Sequence, residues 1–295
     1  MKRLKALVYI AVLSLMLFGC ANSEPSQTQV AATTLPVYEF TSRLCAGTDI
    51  AVTRLVTESV SCLHDYTLKV DQMRMLENAS TVIISGAGLE DFLGDAMLHA
   101  DTVIDASSDI STLACEEHDH EHGHDHEHDH SQDSHIWLSP ANAMHMAENI
   151  CDGLCKQFPD YTGIFQNNLS DLRIELEELQ KYGNEQLEKL SSRDLITFHD
   201  GFSYFAEAFE LHILRAVEEE SGSEPSAAEL KELITLVKEH SVQAIFTESN
   251  GSVSAAGVIS AETGIPIYTL DMAMAGESYF DAMYRNIDTI KEALG

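Results

Sequence analysis

Short apolar runs alternate with segments of helical apolar spacing along most of the chain, and this alternation predicts the fold class. The runs predict strands at 29–34, 50–56, 81–85 and 102–106, and again at 195–198, 212–217, 243–248 and 266–270. Helical patterns lie near 37–46, 69–79, 88–99, 201–210, 226–240, 252–263 and 277–293. Such alternation is typical of parallel α/β sheets. We therefore expect an α/β protein of two lobes, each with a small, mostly parallel four-stranded sheet flanked by helices.

The longest helical pattern separates the two halves. Apolar residues recur at helical spacing within residues 159–190, at Ile164, Leu169, Leu172, Leu176, Leu179, Leu187 and Leu190. This predicts one helix of about 45 Å at 1.5 Å per residue, which Gly183 could bend. A second amphipathic helix precedes it, with Ser139 as N-cap. We expect an N-terminal lobe at 29–157, a linker helix at 158–190 and a C-terminal lobe at 191–295.

The N-terminal segment predicts export. Basic residues precede an apolar run at 6–18, which is too short to indicate a membrane span and is typical of a secretory signal over residues 1–19. The letters "LFGC" resemble a bacterial lipobox, which implies cleavage before Cys20 and lipidation of its thiol. Residues 20–28 then form a flexible tether. The expected location is extracytoplasmic, lipid-anchored to the bacterial membrane, on the cell surface or in the periplasm.

Charge and cysteine content narrow the function classes. The chain has 48 acidic and 17 basic residues and a net charge of −31, which disfavours nucleic acid as a partner and favours cations. Five further cysteines, Cys45, Cys62, Cys115, Cys151 and Cys155, suggest no disulfide framework. Cys151 and Cys155 lie one helical turn apart, too far for an unstrained bridge. Buried thiols are the expectation for most of them.

Residues 116–134 are of low complexity and rich in histidine. Seven histidines alternate with acidic residues or glycine, namely His118, His120, His122, His124, His126, His128 and His130. Such a composition cannot bury a core, so we expect a mobile loop. Its imidazoles would bind metal weakly and collectively, and a purely solvated spacer is the alternative.

Histidines outside this loop follow predicted strands. His64 follows strand 50–56, His199 ends strand 195–198, and His135 directly precedes the apolar "IWL". Asp271 ends strand 266–270. Because ligands gather at the carboxyl ends of parallel strands, these four side chains could line one cleft. Three neutral imidazoles and a carboxylate make a closed tetrahedral set for Zn²⁺, although imidazole also suits copper and nickel.

The order of motifs resembles the solute-binding lipoproteins of zinc ABC importers, the ZnuA-like branch of the metal-binding cluster A-I family. The most specific segments are "HIWLSP" and "FHDGFSYF", and the resemblance covers nearly all of residues 29–294. It implies two lobes with a rigid spanning helix, a metal in the cleft, and ligand roles for His64, His135 and His199. Relatives selective for manganese usually have Glu at the third position, so His199 favours zinc.

The resemblance leaves the fourth ligand open. Asp271 matches the usual carboxylate position, Glu248 is the reserve candidate, and water is a third option. The loop before His64 departs from the proline-rich family pattern, and Cys62 lies two residues from that histidine. We expect His135 to be a fixed ligand buried beside Trp137, in contrast to the loop histidines.

We interpret the chain as a binding protein and not an enzyme. It would capture Zn²⁺, its transported ligand, and deliver it as a monomer to a membrane permease driven by a separate cytoplasmic ATPase, since no P-loop pattern is present. The alternatives are a manganese or iron importer component, a zinc-dependent hydrolase with an open metal position, and a surface adhesin.

Overall fold

A computed structural model describes residues 29–58, 63, 66–114, 132–218, 225–249 and 253–295. Several residues singled out in the sequence lie outside this described part: Cys20, Cys62, His64, Cys115 and the seven histidines of 118–130. Of the other cysteines, Cys45, Cys151 and Cys155 carry free thiols. None of the helices in the described ranges is both long enough and apolar enough to cross a membrane.

The N-terminal sheet is parallel throughout. It consists of β1 (Gln29–Ala32), β2 (Ala51–Arg54), β3 (Thr81–Ile84) and β4 (Thr102–Asp105), in the order β2-β1-β3-β4. Helices α1 (Leu35–Leu44) and α2 (Val70–Asn78) follow β1 and β2. All four strands coincide with the predicted apolar runs, and β3 is buried along its whole length, as expected for a central strand covered on both faces.

Residues 88–99 differ from the prediction. They form 3-10 turns over Asp91–His99 in place of an α-helix. Gly94 interrupts them with a φ of +43°, in the left-handed region that favours glycine and breaks the helical hydrogen-bond pattern. The apolar spacing reported the buried face correctly, since Leu89 and Leu93 are buried, but it did not distinguish the two helix types.

Two long helices connect the halves. Helix α3 (Pro140–Gln157) is capped by Ser139, whose hydroxyl accepts a hydrogen bond from the Asn142 N–H. Helix α4 (Thr162–Leu187) has 26 residues and so spans about 39 Å. It is continuous through Gly183, where a Cβ would collide with the ring of Phe209. Glycine at this position therefore permits close packing against the helix.

The C-terminal sheet repeats the parallel arrangement. Strands β5 (Asp194–His199), β6 (His212–Glu218), β7 (Ile245–Glu248) and β8 (Ile267–Leu270) lie in the order β6-β5-β7-β8. The helices are α5 (Ser203–Ala208), α6 (Ala227–His240), α7 (Ser254–Thr263) and α8 (Tyr279–Leu294). The predicted two-lobed α/β fold is confirmed.

A shared core joins the two lobes. Buried side chains of α1, α4 and α8, including Phe40, Leu176 and Ile287, belong to one apolar cluster that also contains Trp137. Hydrogen bonds cross in the same region: the Trp137 indole N–H donates to the Met272 carbonyl at 2.7 Å, and the Tyr279 hydroxyl donates to the Trp137 carbonyl at 2.8 Å. The lobes are therefore packed against each other through this shared core.

Candidate metal centre

Two histidines from opposite lobes face each other. His199 is the last residue of β5, and His135 precedes the 3-10 turn Ile136–Leu138. Both are buried, and their Nε2 atoms lie 3.4 Å apart with perpendicular rings. Two Zn–N bonds of ~2.0–2.1 Å at a tetrahedral angle place the nitrogens ~3.3 Å apart. The two Nε2 atoms therefore already have the separation that a tetrahedrally coordinated cation requires.

Asp133 fixes the orientation of the His135 ring. Its Oδ1 accepts hydrogen bonds from the His135 backbone N–H at 2.9 Å and from Nδ1 at 2.8 Å. This contact assigns the proton to Nδ1 and leaves Nε2 available as a ligand. Sequence reasoning missed Asp133, although its spacing two residues before His135 was a usable signal.

The surroundings of Asp133 fit a bound cation. The residue is only 5 % exposed, and its Oδ2 is buried with no hydrogen-bond partner among the described residues. A buried carboxylate is costly unless positive charge compensates it. A cation on His135 Nε2 would supply that charge through the imidazole ring, so the donor set is chemically consistent with metal binding.

The electrostatic environment also favours positive charge at His135. Burial by itself lowers the pKa of His135, but the hydrogen bond to Asp133 and the negative charges of Asp133, Asp200 and Glu248 outweigh it, so the pKa is raised above its ordinary value. Because a metal needs the neutral imidazole as ligand, protons compete with metal at this residue over a higher pH range than for an ordinary histidine.

Gly201 and Trp137 pack around His135. A Cβ on Gly201 would lie 2.8 Å from His135 Nδ1 and 2.6 Å from the Met272 methyl carbon, so the ring rests directly on the glycine backbone. The Trp137 ring centre lies 5.3 Å from that of His135. The expectation that His135 is buried beside Trp137 is confirmed, whereas the role of Gly201 was not foreseen.

The two candidate carboxylates occupy different environments. Asp271 follows β8, and its Oδ1 accepts from the Ala273 N–H while its Oδ2 pairs with Arg285 at 3.1 Å. Glu248 ends β7, is 4 % exposed, and acts electrostatically on His135. Within the described ranges, no three His, Cys, Asp or Glu side chains form a metal-binding group. The structure thus brings His135 and His199 together, and Asp271 is engaged with Arg285.

Two α/β lobes that present buried imidazoles to each other define a solute-binding protein for a metal cation. The sequence profile described as "Zinc-uptake complex component A periplasmic" (ZnuA) matches residues 30–293. The chain belongs to this family. Its members are extracytoplasmic transport components, so the chain is not an enzyme, and the hydrolase alternative is not supported.

Individual relatives agree with this assignment. The high-affinity zinc uptake system protein ZnuA of Bacillus subtilis is 30% identical, over 94% of this chain and 90% of that protein. The zinc-binding lipoprotein AdcA of Streptococcus pneumoniae is 28% identical, and the match covers 97% of this chain but only 60% of AdcA.

Solved structures lead to the same family. A crystal structure of ZnuA superimposes with a TM-score of 0.78 at 28% identity, over 91% of this chain and 99% of that one. The Zn(II)-bound ZnuA-like domain of S. pneumoniae AdcA has a TM-score of 0.75 at 25% identity, over 91% and 99% of the two chains. The resemblance noted in the sequence is confirmed.

Proposed function

We propose that the chain captures Zn²⁺ between its lobes outside the cytoplasmic membrane and delivers it to a membrane permease driven by a separate ATPase. The observation that carries the proposal is the buried His135–His199 pair, whose Nε2 separation of 3.4 Å matches tetrahedral zinc. The zinc-binding relatives support the choice of metal. Nitrogen ligands also favour zinc over manganese, which prefers oxygen.

We propose His64 as the third ligand and a carboxylate as the fourth. His64 lies outside the described residues; along the chain it follows β2, a strand that pairs in parallel with β1. Asp271 remains the first candidate for the fourth position, and zinc would then compete with Arg285 for its carboxylate. Glu248 is the reserve, since it is buried and its charge already acts on His135.

The remaining sequence interpretations complete the proposal. Cys20 would carry a lipid anchor after removal of residues 1–19, and the chain would act as a monomer with lobes at 29–157 and 191–295 joined by 158–190. The seven histidines of 118–130 would bind further zinc at lower affinity, because each binding event there must order the segment. Deletion of residues 117–131 should lower the stoichiometry at excess zinc and leave one tight site.

A histidine-to-alanine pair tests the proposed centre. His199→Ala should abolish tight zinc binding in a chelator-competition titration. The matched control is His212→Ala, which removes an exposed imidazole paired with Asp194 on the neighbouring strand. If His199→Ala bound zinc as tightly as the control variant, the interlobe centre would be wrong.

A further inference from the structure

Residues on either side of the histidine-rich segment meet close to His135. Ala114 and Gln132 form an antiparallel bridge, and the Asp133 N–H donates to the Leu113 carbonyl at 2.9 Å. These backbone contacts join the two chain segments within the described residues. A contact between two strands is marginal in water without support from elsewhere.

The support comes from the opposite lobe. The Tyr204 hydroxyl accepts from the Leu113 N–H and donates to the Asp133 carbonyl, both at 2.8 Å. Tyr204 belongs to α5 in the C-terminal half, and its side chain is buried at 2 % exposure. A single buried hydroxyl therefore holds both sides of this neck, which we define as Leu113–Ala114 and Gln132–Asp133.

Asp133 links the neck to the metal pair. Its backbone is held by Leu113 and Tyr204, while its carboxylate holds both the backbone and the ring of His135. Tyr204 follows His199 by five residues, across the short turn Asp200–Phe202. The segment 199–204 of the C-terminal lobe therefore carries the imidazole of His199 and fixes that of His135 through Asp133.

We infer that Tyr204 is a positioning residue for metal capture, and this inference rests on the proposed function. Its hydroxyl sets the His135 ring against His199 by holding Asp133, and it couples the neck of the histidine-rich segment to the centre. Metal sites tolerate only about 0.5 Å of misplacement, and loss of an outer-shell partner commonly costs 10–100-fold in affinity. Coupling is reciprocal, so bound zinc must in turn stabilise the bonds of Tyr204.

Tyr204→Phe in the chain from residue 20 to residue 295 tests the inference. It keeps the ring and removes two hydrogen bonds, and we expect about tenfold weaker zinc binding with faster release. The visible spectrum of the Co²⁺ form, which reports ligand geometry, should change as well. The matched control is Tyr182→Phe, which loses one hydroxyl contact to Asp288 on the surface and should bind zinc as the wild type does.

The outcomes separate the inference from the proposed function. If the wild type had no tight zinc site, the proposed function would fail and the inference with it. If the wild type bound zinc tightly and Tyr204→Phe matched Tyr182→Phe, only the role of Tyr204 would be overturned. If Tyr204→Phe were less stable without metal but bound zinc with unchanged affinity, the positioning role would also be overturned. Such a result would show that Tyr204 has a purely structural role.

A measurement on the wild type decides the matter if Tyr204→Phe does not fold. Hydrogen exchange of the Leu113 amide, which donates to Tyr204, should slow when Zn²⁺ binds. The Ile110 amide, bonded locally to Ser107, should not respond. Equal exchange of Leu113 with and without zinc would contradict the coupling.

Discussion

At the scale of single residues, His135 differs from the loop histidines because its surroundings fix it. Asp133 holds Nδ1, Trp137 and Gly201 enclose the ring, and His199 faces Nε2. An imidazole oriented in this way has lost its rotational freedom before the metal arrives. Binding then avoids the ordering cost that a flexible ligand would incur.

Asp133→Asn should weaken zinc binding by about 10–100-fold at pH 8, because the amide no longer stabilises positive charge at His135. The same substitution lowers the pKa of His135, which Asp133 raises in the wild type. Protons then compete less in the variant, so the difference between the two proteins should narrow as the pH falls towards 6. Zinc titrations at several pH values measure this convergence.

Asp288→Asn is the control for Asp133→Asn, because Asp288 accepts a hydrogen bond from the exposed hydroxyl of Tyr182 and its substitution should leave zinc affinity unchanged. A constant affinity ratio between Asp133→Asn and the wild type across this pH range would argue against the electrostatic role of Asp133.

Gly201→Ala should displace His135, since its Cβ would lie 2.8 Å from Nδ1. We expect a loss of zinc affinity together with about 1–3 kcal/mol of stability, as for other overpacked sites. Gly257→Ala is the matched control, because a Cβ there meets nothing and alanine favours a helix by roughly 0.5–1 kcal/mol. Calorimetric titration and urea unfolding of both variants check this, and unaltered binding in Gly201→Ala would count against the packing argument.

At the scale of elements, the parallel strands bring polar residues to one edge of each sheet. In the N-terminal lobe this edge contains Glu90, which accepts from the Thr33 hydroxyl at 2.6 Å, the Ser85 N–H at 2.7 Å and the Gly86 N–H at 3.0 Å. These contacts tie the carboxyl ends of β1 and β3. Burial raises the pKa of Glu90 to about 7, although the three hydrogen bonds stabilise the charged carboxylate and act to lower the pKa.

This raised pKa gives a signed prediction for stability. The folded protein binds the Glu90 proton more tightly than the unfolded chain, so the contribution is fully present below pH 4.5 and declines until about pH 7. The decline amounts to about 3 kcal/mol. The side chain at position 90 in the Glu90→Gln variant is uncharged at every pH, so this variant should lack the decline in the free energy of unfolding. Glu77 is exposed, so Glu77→Gln should keep the decline. Urea unfolding at pH 5 and pH 8 compares them, and parallel profiles for wild type and Glu90→Gln would refute the prediction.

The elements also show what could be predicted from the sequence. All eight strands and the long helix were predicted from apolar spacing. Buried strands and the buried face of a helix both require apolar residues at regular positions in the local sequence. The 3-10 turns at 91–99 were missed because they share the burial pattern of an α-helix. Asp133, Gly201 and Tyr204 were not recognised, since their roles depend on contacts across the fold. Likewise, no local pattern reveals that Asp271 is paired with Arg285.

At the scale of the whole molecule, the lobes are joined by more than a hinge. The Leu35 N–H donates to the Met274 carbonyl at 3.2 Å, and the Tyr279 N–H donates to Glu39 at 2.6 Å. Arg43 bridges Glu39 and Glu175 and lies 4.5 Å from the centre of the Phe280 ring. With a shared core beneath the cleft, rigid-body opening would expose buried apolar surface, so we expect small relative motion and local rearrangement.

Solution scattering tests this rigidity. The radius of gyration, ~19 Å for a compact chain of this length, should agree within error between the apo and zinc-bound forms. The comparison is best made on protein lacking residues 117–131, so that metal bound by the histidine-rich segment does not contribute. A clear compaction on zinc binding would indicate hinge closure and contradict the account of the shared core.

The most direct test of the central claim is a competitive titration of Zn²⁺ against Mn²⁺ on residues 21–295, with and without residues 117–131. We expect one tight site per chain in both proteins, selective for zinc and lost in His199→Ala. Equal or preferential manganese binding would contradict the assignment of zinc to the His135–His199 centre and would favour the manganese importer component instead.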